Sequence, residues 1–128
     1  MRLLLDTHML LWALGRPSRL PVAARTLIVD PANEVLFSAA SIWEIAVKVQ
    51  IGRANFSATP TDIARAAIES EFTELPVRWE HCALAASLPP HHRDPFDRVL
   101  VAQALTEPAR LLTVDAVLRP YSDLVTLF

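Results

Sequence analysis

Cysteine, glycine and lysine are scarce in this chain, and each shortage closes off a class of protein. The single cysteine, Cys82, has no partner for an internal disulfide. That excludes a disulfide-stapled scaffold and leads us to expect a reducing, cytoplasmic setting, with Cys82 as a small buried residue. Two glycines, Gly15 and Gly52, are too few for a loop that cradles phosphates with backbone N–H groups. The one lysine, Lys48, falls in an expected helix, whereas a phosphotransfer receiver domain needs a lysine near the end of a late strand. There is no CxxC, no HExxH, no Cys/His pair with zinc spacing and no GxSxG elbow. There is also no run of about 18 uncharged apolar residues, so no membrane span is expected. Asp6 and His8 cut the opening Leu3-Leu4-Leu5 stretch too short for a signal peptide. Nor is there an excess of positive charge. Twelve basic against 14 acidic residues give a net charge of −2, unlike a dedicated DNA-binding domain. An acidic balance remains compatible with a nuclease, whose site must hold cations.

What is present suits one domain over residues 1–128, large enough to bury a core. The apolar fraction of 52% slightly exceeds the roughly 45–50% of soluble domains, which suggests surface covered by another chain. Short apolar runs at 2–5, 34–38, 75–77, 110–114 and 124–127 read as strands. Helices are expected at 8–14, 21–30, 42–50, 61–70, 80–87 and 95–107, with a helical turn at 116–119. Pro21 and Pro95 sit in first turns, Thr59 or Thr61 and Asp94 serve as caps, and Gly52 acts as a stop. Strands that alternate with helices and are apolar throughout indicate a parallel sheet covered on both faces. The expected fold is a three-layer α/β/α sandwich with a mainly parallel central sheet.

In such a sheet the C-terminal strand ends share one edge, and sites form there. Asp6 follows the first strand, Glu44 lies one turn into the helix after the second, and Asp115 follows the strand 110–114. Asp97 lies in the first turn of the helix from Pro95. Each has an ordinary structural reading: Asp6 and Asp115 as N-caps, Ser41 to Glu44 as a capping box, Glu44 as an ion pair with Lys48, and Asp94 and Asp97 as partners of a helix dipole. Together they point elsewhere. Four carboxylates on one edge repel one another, and Mg²⁺ or Mn²⁺, which prefer oxygen ligands, would relieve that repulsion. A cation so held acidifies water and stabilises charge on a phosphodiester, which makes metal-assisted hydrolysis the expected chemistry.

The pattern resembles the PIN-domain family, and within it the VapC-like toxins of toxin–antitoxin modules. "LLLDTHMLLWAL" looks like the family's first strand, Asp-Thr turn and helix. "SAASIWEIAVKVQIGR" looks like the second acidic motif, "HRDPFDRVLVAQA" the third, and "LLTVDAVL" the fourth, with Thr113 and Asp115 as T-x-D. The resemblance covers nearly the whole chain. It implies Mg²⁺- or Mn²⁺-dependent RNA cleavage, a homodimer and inhibition by a small antitoxin. It also implies that Asp6, Glu44, Asp97 and Asp115 are both the catalytic and the metal-holding set. Spacing favours Asp97 over Asp94 as ligand, which leaves Asp94, Thr7 and Thr113 as supporting groups.

His91, His92 and Arg93 either meet RNA or form a solvated loop. Arg98 would orient a carboxylate or meet phosphate; Lys48 and Arg53 offer the same chemistry but suit a solvated face better. His8 suits a structural role, and Trp12, Trp43 and Trp79 suit packing or a protein interface better than base stacking. Two rival classes stand beside the ribonuclease. A phosphotransfer domain is disfavoured, since Asp6-Thr7-His8 lacks the second Asp of a haloacid-dehalogenase-type phosphatase. A non-catalytic PIN-like RNA-binding or interaction module would not need four acids.

Overall fold

A computed structural model describes residues 1–52 and 58–128 of the chain. Arg53 therefore lies outside the described residues. Among the described residues the sheet has five strands, β1 (Arg2–Leu5), β2 (Glu34–Ser38), β3 (Thr73–Leu75), β4 (Arg110–Thr113) and β5 (Val125–Leu127). Their order is β3-β2-β1-β4-β5, and every pairing is parallel. The helices are α1 (Thr7–Gly15), α2 (Val22–Val29), α3 (Ala39–Gln50), α4 (Pro60–Glu69), α5 (Trp79–Ser87) and α6 (Pro95–Thr106), with 3₁₀ turns at Pro17–Arg19 and Ala116–Tyr121. This is the expected α/β/α arrangement with a parallel sheet.

The alternation of side chains along β1 builds two cores. Leu3 and Leu5 join Met9, Leu10, Phe37, Ile45, Ile63 and Leu112 on one face of the sheet. Leu4, one residue out of phase, joins Leu36, Leu100, Val101, Leu111 and Leu118 on the other. Burial on both faces explains why the central strands β1, β2 and β4 read as near-continuous apolar runs, while the edge strand β3 carries exposed Thr73 and Glu74. No helix among the described residues is long and apolar enough to cross a membrane.

Several elements differ from the sequence reading, each for a local reason. The second strand passes into α3 without a loop: the Ser38 hydroxyl accepts from the Ala40 N–H, so the helix begins three residues early. Ser41 is thus inside α3, and the Ser41–Glu44 capping box does not form. At the other end Gly52, at φ 73°, adopts the left-handed backbone that closes a helix after Gln50 and Ile51. The third strand ends at Leu75 rather than beginning there, because Pro76 has no N–H to give a ladder. Pro21 caps α2 from outside instead of sitting in its first turn. Thr59 caps α4 and exchanges hydrogen bonds with Asp62. Cys82 is exposed, not buried, since His81 and Ala85 take the inward face of α5. Trp43 and Trp79 are not core residues either: they are 60% and 77% exposed. α1 is largely covered by its own chain, with Met9 and Leu10 buried and Leu11 to Leu14 half-buried.

Candidate active site

The C-terminal ends of β1, β2 and β4 lie side by side at the centre of the sheet, and a cavity of about 190 Å³ opens there. Its walls are Asp6, Thr7, His8, Glu44, Lys48, His92, Asp94, Asp97 and Asp115. The four expected acids are therefore brought together, although Asp6 and Asp115 are 109 positions apart in sequence, as their numbers show. A larger cleft of about 550 Å³ runs among Leu20, Ile28, Val35 and Phe72. Its carboxylates, Asp30, Glu34 and Glu71, are exposed, so it lacks the buried like charge that marks a catalytic pocket.

Each acid is held by the element it terminates or begins. Asp6 caps α1: its Oδ1 accepts from the Met9 N–H at 2.8 Å, and its Oδ2 accepts from the Thr113 hydroxyl at 2.6 Å. Thr113 in turn accepts from the Asp115 N–H, so the T-x-D pair ties β4 to β1. Asp115 Oδ1 caps the following 3₁₀ turn at the Val117 N–H. Glu44 is clamped from two sides. Lys48 Nζ donates to Oε2 at 2.6 Å, as the i,i+4 spacing suggests, and the Thr7 hydroxyl lies 2.7 Å from Oε1 and 2.9 Å from Ser41 Oγ. Asp94 caps α6, its Oδ1 accepting from the Phe96 and Asp97 N–H groups. Asp97 Oδ2 meets His92 Nε2 at 2.9 Å, and the same nitrogen lies 3.4 Å from Asp115 Oδ2.

The electrostatics match this crowding. Burial pushes the Asp97 carboxyl up to about 7, and the like charges of Asp94, Glu44 and Asp6 push the same way against the His92 hydrogen bond. Burial also raises Asp6, opposed by the Thr113 and Met9 hydrogen bonds. A pocket that holds protons this tightly favours a cation. The donors are hard oxygens, and no donor among the described residues reaches Asp97 Oδ1 or Asp94 Oδ2. The residues thus fit a divalent ion of the Mg²⁺ or Mn²⁺ type. One ligand atom each from His92, Asp94 and Asp97 falls within 4.8 Å of the others.

Other expected site residues fall elsewhere. Arg98 turns its guanidinium onto the carbonyls of Ala85, Leu88, Pro89 and His92 and the Tyr121 hydroxyl, so its donors hold the loop before α6. Arg93 is exposed outside the cavity wall. His8, expected in a structural role, is exposed and lines the cavity. Ser41 and Tyr121 were not signalled as supports: Ser41 resembled a cap, and nothing in the sequence marks Tyr121.

A search among curated proteins returns no match. Among solved structures, the chain superposes on one from the crystal structure of VapBC2 from Rickettsia felis bound to a DNA fragment from their promoter. The TM-score is 0.67 at 14% identity, covering 100% of this chain and 98% of that one. At that identity the likeness is one of fold. The family model described as PIN domain matches residues 3–124, an interval that contains all four acids. The chain belongs to the PIN domain family.

Proposed function

We propose that the chain is a metal-dependent endoribonuclease, the toxin of a toxin–antitoxin pair, with residues 1–128 forming one nuclease unit. The observation that carries this reading is the pocket at one sheet edge on which Asp6, Glu44, Asp94, Asp97 and Asp115 converge, where burial and like charge push the Asp97 carboxyl up. PIN domains are generally nucleases, and generally use divalent cations. Asp6, Asp97 and Asp115 would hold Mg²⁺ or Mn²⁺, with Glu44 beside them and Asp94, Thr7 and Thr113 as supports. When bound, such a cation activates the attacking water and neutralises charge on the phosphodiester. The chain's own residues supply position. Thr113 fixes the direction of the Asp6 carboxylate, and Lys48 holds Glu44 while placing a positive charge in the wall where a phosphate would enter. His92 in the cavity wall and the exposed Arg93 next to it in sequence would contact RNA.

The partners proposed are a second copy of the chain and a small antitoxin. The fold match to a chain of a VapBC2 structure supports the second; the location would be cytoplasmic, as a lone cysteine suits a reducing compartment. The test is RNA cleavage by purified protein with Mn²⁺ or Mg²⁺, with chelator, and with Asp97→Asn. We expect metal-dependent cleavage that falls by roughly a hundredfold or more in the variant, whose fold should survive because it loses repulsion rather than packing. Full activity of Asp97→Asn in excess chelator would overturn the mechanism.

A further inference from the structure

We propose that His92 is a positioning residue of the metal pocket, its Nε2–H holding the Asp97 carboxylate in one geometry beside Asp115 without itself ligating the ion. The proposal rests on the metal-dependent reading above. His92 is not a carboxylate, yet it occupies the wall between two of them: Nε2 is 2.9 Å from Asp97 Oδ2 and 3.4 Å from Asp115 Oδ2. Which nitrogen carries the hydrogen follows from the backbone. The Arg93 N–H donates to His92 Nδ1 at 3.1 Å, so Nδ1 presents a lone pair and the ring hydrogen is on Nε2. A nitrogen bearing hydrogen cannot coordinate a cation, but it can donate to a carboxylate oxygen and leave that residue's other oxygen open. At Asp97 the other oxygen, Oδ1, has no donor among the described residues.

The ring is not free to choose this orientation. The His92 N–H donates to the Tyr121 hydroxyl at 2.9 Å, and that hydroxyl donates to the Pro89 carbonyl at 2.8 Å. Arg98 reaches both Tyr121 Oη and the His92 carbonyl at 3.2 Å. The loop before α6 is thereby fastened from three directions, and one N–H is delivered to the Asp97 side of the pocket. Without a cation, no other donor among the described residues holds the Asp97 carboxylate. The His92 donor keeps it in one orientation, which is how outer partners of a metal site raise its affinity.

The readout is Mn²⁺ affinity by calorimetry, with pulsed electron paramagnetic resonance of the bound Mn²⁺. His92→Ala should weaken Mn²⁺ binding about tenfold, and His92→Gln, whose amide restores an N–H donor, should recover to within about threefold of wild type. Tyr121→Phe, which leaves the imidazole intact but unfastened, should weaken binding by roughly threefold. The ¹⁴N coupling in the Mn²⁺ spectrum should be the same in wild type and His92→Gln. Wild-type affinity in both His92→Ala and Tyr121→Phe would overturn the positioning role. So would a strong ¹⁴N coupling that disappears in His92→Gln, since the imidazole would then be a ligand. A wild-type chain that binds no Mn²⁺ sinks the metal-dependent reading and this role with it. The expected Mn²⁺ pattern without any RNA cleavage upholds the role and sinks only the nuclease.

Discussion

Asp97 ties the stability of the chain to its charge state. Its carboxyl is raised from 3.8 to about 7, first by burial and then by Asp94, Glu44 and Asp6. Between these two values the folded protein holds a proton that the unfolded chain has released. Stability from this group therefore falls as pH rises from about 4 to about 7 and stays low above that. Asp6, also raised by burial, acts in the same direction. In chelator, the wild type should melt several degrees lower at pH 8 than at pH 5 through this contribution, and Asp97→Asn should flatten the difference. Adding Mn²⁺ at pH 8 should restore the wild type and do less for the variant, since a cation that binds only the folded form stabilises it by mass action. Equal melting behaviour of the two proteins across pH and metal would show that neither burial nor like charge raises the Asp97 carboxyl. The acids of this site were legible in the sequence because Asp6 directly follows β1 and Asp115 stands just past the end of β4. Glu44 was legible with its Lys48 partner because i,i+4 spacing fixes a shared helix face. The direction of the His92 ring was not, because it depends on a hydroxyl from Tyr121, far along the chain.

At the scale of elements, Arg98 shows why adjacency in sequence misleads. Consecutive helical residues are about 100° apart around the axis, so Asp97 facing the pocket turns Arg98 away from it. Its Nη2 bonds the Ala85 and Leu88 carbonyls at 2.8 and 2.9 Å, at the end of α5, where helical carbonyls lack partners. Its Nη1 takes the Pro89 and His92 carbonyls of the connecting loop. Lysine keeps the charge but offers a point rather than a fork. Arg98→Lys should therefore cost about 2 kcal/mol in urea unfolding, the worth of a charged hydrogen bond or two. A neutral result would mean that solvent satisfies those carbonyls instead. The helices and strands themselves were mostly legible, because a sheet covered on both faces forces apolar runs. The exceptions, the early start of α3 and the early end of β3, turn on Ser38 serving both strand and cap, and on the missing N–H of Pro76.

Taken as a whole, the molecule places its buried acids at one sheet edge and leaves large apolar side chains in solvent elsewhere. Trp43 is 60% exposed in α3, Val49 42% in the same helix, and Ile51 57% just beyond its end. Trp79, at the start of α5, is 77% exposed. The core does not lack for filling, since β1, β2 and β4 bury Leu3, Leu4, Leu5, Phe37, Leu111 and Leu112 to 1% exposure or less. The exposed residues are thus surplus to the fold, and a tryptophan left in water forgoes a large burial gain. Several exposed apolar side chains on and just beyond one helix, as Trp43, Val49 and Ile51 are at α3, are the kind of surface that another protein can cover. The excess of apolar residues in the composition pointed the same way, but it could not say which helices carry the surplus. α1, for all its apolar residues, is largely covered by its neighbours within the chain. We expect the purified chain to be a dimer at micromolar concentration by light scattering. Trp43→Glu should shift it to monomer while leaving Mn²⁺ affinity within about twofold, because a charge at the centre of an apolar contact costs several kcal/mol only when that contact is buried. If the wild type is already a monomer at that concentration and low salt, α3 does not carry a contact between copies. The surplus would then be left to the proposed antitoxin, and the same measurement on the co-expressed pair would show whether Trp43→Glu releases it.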